Sequence, residues 1–361
     1  MGLNDQLADK FIGHDVNLQR LQAEHRRILL KELKALESQI IAKLKNMAGE
    51  SFTKARQTAL LKQVQKTIQT GYRTIYQAHR EAALAMATFD VQKIPTVVNG
   101  VVSVQMFTVG VPESVIASLL KDSVVLGAPL RKIWEQEAGA LNQAFIAQMR
   151  QGILAGETTD QLIRRVRGTQ AANLKDGIMN PRERAVEMRV RTSAQSILND
   201  ARWESYQANS DLIQGVQWQS VLDDRTSEIC MALSGQTWDL SGNPLGDTDQ
   251  PFPGPPPAHP NCRSTLVPIL KSWEELTGIK GLDRAAKREL KDLPESKQAS
   301  MDGQVAAKLT YEEWLGRKSQ AFQEEVLGPG KYRLWKSGKI SLKDLIDQRG
   351  NPLTLAQLQE R

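Results

Sequence analysis

Leu29-Leu30-Lys31-Glu32-Leu33-Lys34-Ala35-Leu36-Glu37-Ser38-Gln39-Ile40-Ile41-Ala42-Lys43-Leu44-Lys45-Asn46-Met47 decides the fold class. Leu29, Leu33, Leu36, Ile40, Leu44 and Met47 recur at steps of three or four, which gathers them on one face of a helix, and Lys and Glu fill the other positions. The periodicity predicts an amphipathic helix over 15–48. Residues 53–88 repeat it with Leu60, Val64, Ile68, Tyr72, Ile75 and Ala82. Gly49 and Ser51 lie between the runs, where a turn ends one helix and caps the next, so 1–93 reads as a long helical hairpin.

Downstream of the hairpin the pattern changes. Ile94-Pro95-Thr96-Val97-Val98 and Val101-Val102-Ser103-Val104 are β-branched and punctuated by Pro and Gly, which predicts a short strand pair or extended connector over 94–112. Helical periodicity then resumes. Pro112-Glu113-Ser114 opens a helix to Leu120, and Leu130–Gln151 carries Ile133, Trp134, Ala138, Leu141, Phe145 and Met149 on one face. Gly156–Asp160 caps a shorter helix, 161–166. Asn180-Pro181 opens a long one to about Asn209, with Asn180 as the cap. Val216–Leu222 alternates apolar and polar residues, as a half-buried strand does. The Gly-, Pro- and Asp-rich stretch 241–260 is a loop, and Ser264–Ile269 a closing strand. Residues 272–309 read as a mobile linker and 310–361 as short helices and turns. The fold class is therefore mainly α with a small α+β module. Its expected divisions are 1–93, 94–180, 181–271, 272–309 and 310–361.

Composition narrows the class further. Of 361 residues 40% are hydrophobic, 24% charged and only 5% aromatic, which favours long helices over a β-sandwich or barrel. No window approaches the ~20 apolar residues of a membrane span, and the opening Met1-Gly2-Leu3-Asn4-Asp5-Gln6 predicts neither a secretory signal nor a myristoylation site. A formal charge of +6 permits contact with DNA or an acidic surface without demanding it. Two cysteines cannot form a disulfide framework, so assembly in a reducing cytoplasm is expected.

Three side chains with metal-ligand chemistry fall in one segment: Cys230, His259 and Cys262. If Val216–Leu222 pairs with Thr265–Ile269, all three meet at one end of a small sheet. Four readings stay open: a structural zinc clamp, free buried thiols with a hydrogen-bonded histidine, a disulfide formed after assembly, and a catalytic zinc. A fourth ligand could come from Asp223, Asp224 or Asp239. Asp223-Asp224-Arg225-Thr226 reads as a turn, because Asp bonds backbone amides two residues on and Arg225 can fork onto a carboxylate. Arg263 could do the same or meet an acidic partner. As an acid–base set, Asp223, Arg225, His259 and Arg263 would suit a nuclease. Trp218 and Trp238 read as core of the small sheet. Arg182, Arg184, Arg189, Arg191 and Arg202 form a basic helix, either a solvated, salt-bridged face or a contact for DNA phosphates. No Gly-rich phosphate loop, Ser-His-Asp order or His-Glu-x-x-His run occurs.

The stretch from Ala185 to Pro268 resembles the Mu F-like phage head morphogenesis proteins, also called minor head or minor capsid proteins. The resemblance rests first on Arg191-Thr192, Asn199-Asp200-Ala201-Arg202 and Tyr206. It rests most specifically on Leu222-Asp223-Asp224-Arg225-Thr226, Cys230, Leu233, Gly235 and Pro256–Thr265 with its His259-Pro260-Asn261-Cys262-Arg263 run. Gly152–Gly168 and the tail, with Tyr311–Leu315, Phe322-Gln323, Val326-Leu327-Gly328, Leu342 and Pro352–Leu355, extend it to 110–361. Many relatives carry cysteines where this chain has Ser227 and Ser264, which removes two ligands here. The resemblance implies that 181–271 is a compact β-containing head morphogenesis domain. It also implies a few-copy capsid component, not an enzyme, inside the head near the portal, that forms in the host cytoplasm. Its implied partners are the portal protein, the major capsid or scaffold protein, and double-stranded DNA. Related domains occur in toxin-bearing chains, so a toxin-like or nuclease domain centred on His259 is the alternative, and a DNA-binding protein that organises genome ends is another.

Overall fold

A computed structural model describes residues 3–46, 53–102, 107, 110–122, 124–125, 127–281, 297–301, 303–306 and 309–360. The described chain is mostly helical with one three-stranded antiparallel sheet, as the periodicity predicts. In order come α1 (Leu3–Lys45), α2 (Lys54–Val102), α3 (Glu113–Asp122), β1 (Val124–Val125), β2 (Ala128–Pro129), α4 (Leu130–Leu154), α5 (Thr159–Arg167) and α6 (Met179–Gln207). The sheet follows: β3 (Ile213–Gln219), α7 (Glu228–Leu233), β4 (Thr237–Asp239) and β5 (Thr265–Leu270), in the order β4-β3-β5. Beyond it lie α8 (Trp273–Thr277), the hairpin β6 (Lys297–Ser300) and β7 (Gly303–Ala306), and helices at Tyr311–Gly316, Gln320–Lys336 and Leu355–Gln359.

Three sequence expectations need correction. Residues 94–102 are not a strand or connector, because α2 runs through Pro95 to Val102. An interior proline costs about 3 kcal/mol in a helix. Val91, Ile94, Val98 and Val102 nevertheless recur on one face and are all buried. Burying four such side chains at about 1.5–3 kcal/mol each outweighs the lost backbone bond and the β-branched preference. Residues 272–309 are likewise not a bare linker, since α8 and the β6–β7 hairpin fall inside it. Asn180 does not cap α6, which begins one residue earlier at Met179. Met47, Gly49, Ser51, Ser103 and Val104 lie outside the described residues.

The chain divides into two compact units. Unit 1 comprises Met1–Gln19, Met86–Leu119 and Gln195–Arg361, and unit 2 comprises Arg20–Ala85 and Leu120–Ala194. In unit 2, Leu29, Leu33, Leu36, Ile40, Leu44, Leu60, Val64, Ile68 and Tyr72 are all buried, so the stripes that predict the helices also form the core. Gly152 lets α4 approach α5: a Cβ there would stand 2.3 Å from Leu162. Thr158 starts α5 with a capping box, and Arg165 clasps Glu157 through two bonds of 2.6 Å.

In unit 1 the pairing of β3 with β5 runs from Ile213↔Leu270 to Gln219↔Thr265. Val216 and Trp218 point into the core, as their alternation requires. Gly215 admits β4, since a Cβ there would meet the Trp238 carbonyl at 2.2 Å. Trp238 is fully buried and donates its indole N–H to the Gln250 carbonyl at 2.8 Å. Trp218 and Trp238 are thus core residues of the sheet.

Candidate metal centre in the small sheet module

The end of β3 builds the site. After Gln219 the chain turns, and Ser220 donates its hydroxyl to the Cys230 carbonyl at 2.6 Å. Asp223 accepts from the Arg225 amide at 3.1 Å and from the Thr226 hydroxyl at 3.2 Å, the Asx turn its sequence predicts. Thr226 also donates to the Val221 carbonyl at 2.5 Å. The guanidinium on Asp223 belongs chiefly to Arg263, which donates two bonds at 2.5 and 2.7 Å. Arg225 reaches the same carboxylate only at 3.4 Å, and its side chain is 77% exposed. Arg263 arrives just ahead of β5, across the sheet end, and its planar fork meets both carboxylate oxygens, which makes the bidentate pair. Burial works against the Asp223 charge, but Arg263, by hydrogen bond and charge, and the Arg225 amide hold its carboxyl below the usual range.

Ser227 starts α7 by accepting from the Cys230 amide. Its hydroxyl also lies 2.7 Å from His259 Nε2. That nitrogen is 3.1 Å from Cys230 Sγ, and the two sulfurs are 3.6 Å apart. His259 Nδ1 faces the Pro260 carbonyl at 2.8 Å, which fixes the ring so that Nε2 looks toward the thiols. The reverse of chain at 259–262 is closed by the Cys262 amide donating to the His259 carbonyl, with Asn261 in the left-handed region at φ 62°. Both cysteines are buried and free of disulfide. The Cys262 thiol is drawn down to about 4, first by accepting a hydrogen bond from Cys230 and, against burial, by His259. Cys230 is pushed well above its ordinary range by donating that bond and by burial. Burial disfavours the His259 cation, yet the hydrogen bond and charge of Cys262 outweigh it and raise that imidazole.

Among the described residues Cys230, His259 and Cys262 are the group whose donor atoms all lie within 4.8 Å of one another. Asp223, Asp224 and Asp239 are outside it: Asp223 is held by Arg263, Asp224 is exposed, and Asp239 closes the 239–243 turn through Ser241 and Asn243. A tetrahedral ion with Zn–S near 2.3 Å and Zn–N near 2.0 Å needs its sulfurs about 3.8 Å apart and S···N about 3.5 Å. The observed 3.6 and 3.1 Å come close, and the donors are soft. A cavity of about 10 Å³ opens among Ser227, Cys230, His259, Arg263 and Ser264, room for an ion or one water. Cys230, His259 and Cys262 would supply three of the four ligands that a tetrahedral zinc takes.

Helix α6 holds this module in place. Gln195, Asn199, Arg202 and Tyr206 recur at steps of three and four and all face β5. Gln195 donates to the Ser264 carbonyl at 2.6 Å, Asn199 accepts from the Leu266 amide at 3.2 Å, and Tyr206 donates to the Leu266 carbonyl at 3.2 Å. Arg202 is only 1% exposed and grips Asp90 (2.7 and 2.9 Å), Asp15 (2.5 Å) and the Thr265 hydroxyl (2.5 Å). Of the other basic residues predicted as one DNA face, Arg182 and Arg189 both pair with Glu137, at 3.4 and 3.1 Å, while Arg184 is exposed and Arg191 half-buried. They do not form one free basic surface.

Sequence reasoning missed three contributors. Ser227 reads there as a lost cysteine, yet it caps α7 and touches His259; its place three residues before Cys230 was the available signal. Tyr311, 88 residues away, donates its hydroxyl to the Asp223 carbonyl at 2.8 Å. Lys331 pairs with Glu228 of α7 at 2.6 Å. Nothing local announces either of the last two.

No curated protein and no solved structure matches the chain. A family model does match, over 143–267, a stretch that holds the Asp223 turn, the Cys–His–Cys cluster, α6 and the first half of β5; its description is Phage Mu protein F like protein. Residues 143–267 of this chain are therefore similar to the Phage Mu protein F-like family.

Proposed function

We propose that this chain is a minor head protein of a tailed bacteriophage, a few-copy component that sits at the portal inside the head and acts in head morphogenesis and in DNA packaging or delivery. The observation that carries this reading is the family match over 143–267, together with the module that the matched residues build. A turn, a three-stranded sheet and a helix cross-braced by Gln195, Asn199, Arg202 and Tyr206 make a stiff body suited to docking on another protein. The partners are the portal protein and the major capsid or scaffold protein. Co-expression with the portal protein of the same phage tests it. Stable co-purification, and presence of the chain in purified virions, is the expected result; failure of both overturns the reading.

Within that module Cys230, His259 and Cys262 would hold a zinc ion as a structural clamp, tying the 259–262 turn to α7. The ion would supply cross-linking energy to a segment rich in loop. Elemental analysis of purified protein is expected to give one zinc per chain, and Cys262→Ser to lower it well below one; metal-free wild-type protein that is equally stable to heat defeats the clamp. A nuclease reading centred on His259 has less support, because Asp223 and Arg263 occupy each other and the cavity beside His259 is the size of an ion.

A further inference from the structure

The two units carry opposite charge. Unit 2 has 25 lysines and arginines against 13 aspartates and glutamates, a formal +12, whereas unit 1 has 22 against 28, a formal −6. The modest +6 of the whole chain hides this split. Within unit 2 the excess concentrates on α2. From Lys54 to Arg80 there are six cationic residues and no carboxylate; the first acid is Glu81.

Four of the six form a row. Lys62, Lys66, Arg73 and Arg80 are spaced by 4, 7 and 7 residues, which at 100° per residue keeps them within a wedge of about 40° along roughly 27 Å of helix. All four are exposed, and among the described residues none has an ion-pair partner. Leu60, Val64, Ile68, Tyr72, Ile75 and His79 are buried and occupy the opposite side of the same helix, so packing fixes the row outward. Gln69 and Gln77 stand beside the cations and are exposed, adding neutral hydrogen-bond donors and no repelling charge. A solvated helix face ordinarily interleaves acids with bases at i, i+4, because such pairs stabilise it. Here that stabilisation is forgone along the whole row. Arg182, Arg189 and Arg202 of α6 differ, being committed to Glu137, Asp90 and Asp15.

We infer that this face of α2 binds the phosphate backbone of double-stranded DNA. Duplex DNA carries about one negative charge per 1.7 Å of its axis, counting both strands, so a cationic row of about 27 Å meets a dense phosphate charge whatever the base sequence. The site lies outside the 143–267 family match and stands independently of the portal reading.

The test uses the full chain and a fluorescent 30-base-pair duplex of mixed sequence, with anisotropy measured from 50 to 300 mM KCl. Wild type is expected to bind with strong salt dependence. The variant carrying Lys62→Gln, Lys66→Gln, Arg73→Gln and Arg80→Gln is expected to bind roughly a hundredfold more weakly at 100 mM. Its log K against log salt slope should flatten by about 3 to 4, near 0.9 per lost phosphate contact. Arg184→Gln should leave both nearly unchanged. Circular dichroism and melting should match for all three proteins, since the replaced side chains are exposed. Absence of binding at 50 mM overturns the inference, as does a quadruple variant with wild-type affinity and slope. So does the finding that the row instead binds the acidic unit of a second copy, seen as salt-sensitive self-association in sedimentation velocity that the quadruple variant abolishes while DNA binding persists.

Discussion

Each unit buries a polar cluster, and the two clusters solve the problem of burial in opposite ways. Unit 1 keeps full charges inside. Arg202 sits between Asp90 and Asp15, with His14 at 2.8 Å from Asp90. Burial presses the Asp90 carboxyl upward, yet the Arg202 charge and the bonds from His14 and Arg202 hold it below the ordinary range. Asp15 goes the other way, because for it burial outweighs Arg202. Unit 2 keeps its buried groups neutral. His25 and His79 lie with ring centroids 5.1 Å apart, beside Trp134, and Ser193 shares a 2.9 Å bond with His79. Burial lowers His25 to about 4, and burial with the nearby His25 lowers His79 to about 3. A buried charge is thus stable only with its partner present, whereas a buried imidazole is stable only while it stays unprotonated.

The sharpest break of this comparison is Arg202→Met, which takes the guanidinium from two buried carboxylates. It is expected to cost about 3–5 kcal/mol in urea unfolding. Adding Asp90→Asn to it should recover part of that loss, since one orphaned carboxylate, Asp15, is milder than two; no recovery would mean Arg202 acts through packing alone.

Acid should break unit 2 first. The folded pKa values of about 4 and about 3 lie below the unfolded value near 6.5, so unfolded chains take up protons that folded ones refuse. Stability is therefore full above pH 6.5 and falls as pH drops from there toward 4 and then 3. Allowing for residual solvation, roughly 3 kcal/mol is lost by pH 5 across both rings. Asp90, with its depressed carboxyl, adds its loss only below the ordinary carboxylate range. Urea midpoints at pH 7 and pH 5, for wild type and for His25→Leu, check this; a flat wild-type profile contradicts it, and His25→Leu should flatten it in part.

A half-buried pair should fall between these cases. Asp223→Asn weakens the two bonds from Arg263 and is expected to cost about 1–2 kcal/mol. The same change should loosen the Cys–His–Cys cluster, read as faster modification of Cys262 by a thiol reagent. The smallest effect belongs to an exposed neutral group: Thr158→Ala, which opens the capping box of α5, should cost about 1 kcal/mol by thermal melting.

Periodicity carried much of the architecture. The stripe from Leu29 to Leu44 needed only its spacing to define both a helix and its buried face, and the alternation at Val216 and Trp218 did the same for β3. The Cys230, His259 and Cys262 cluster was legible because its residue types are rare and its strands pair as their pattern requires. Arg202 was not legible. Its partners Asp90 and Asp15 lie 112 and 187 residues away, and by local pattern it is simply another arginine on a basic helix. Pro95 misled for a related reason: its local cost is visible in sequence, while the burial of Val91, Ile94 and Val98 that offsets it is not.

By itself, then, the sequence determined the helical class, the small sheet, the family segment and which side chains carry ligand chemistry. These follow from short-range spacing and residue type. Only the tertiary structure decided which arginines are spent inside and which face outward, that Arg263 rather than Arg225 grips Asp223, and that Ser227 and Tyr311 join the site. Those outcomes depend on burial and on approach across long chain separations, where desolvation and hydrogen-bond geometry select one partner among several of the same type.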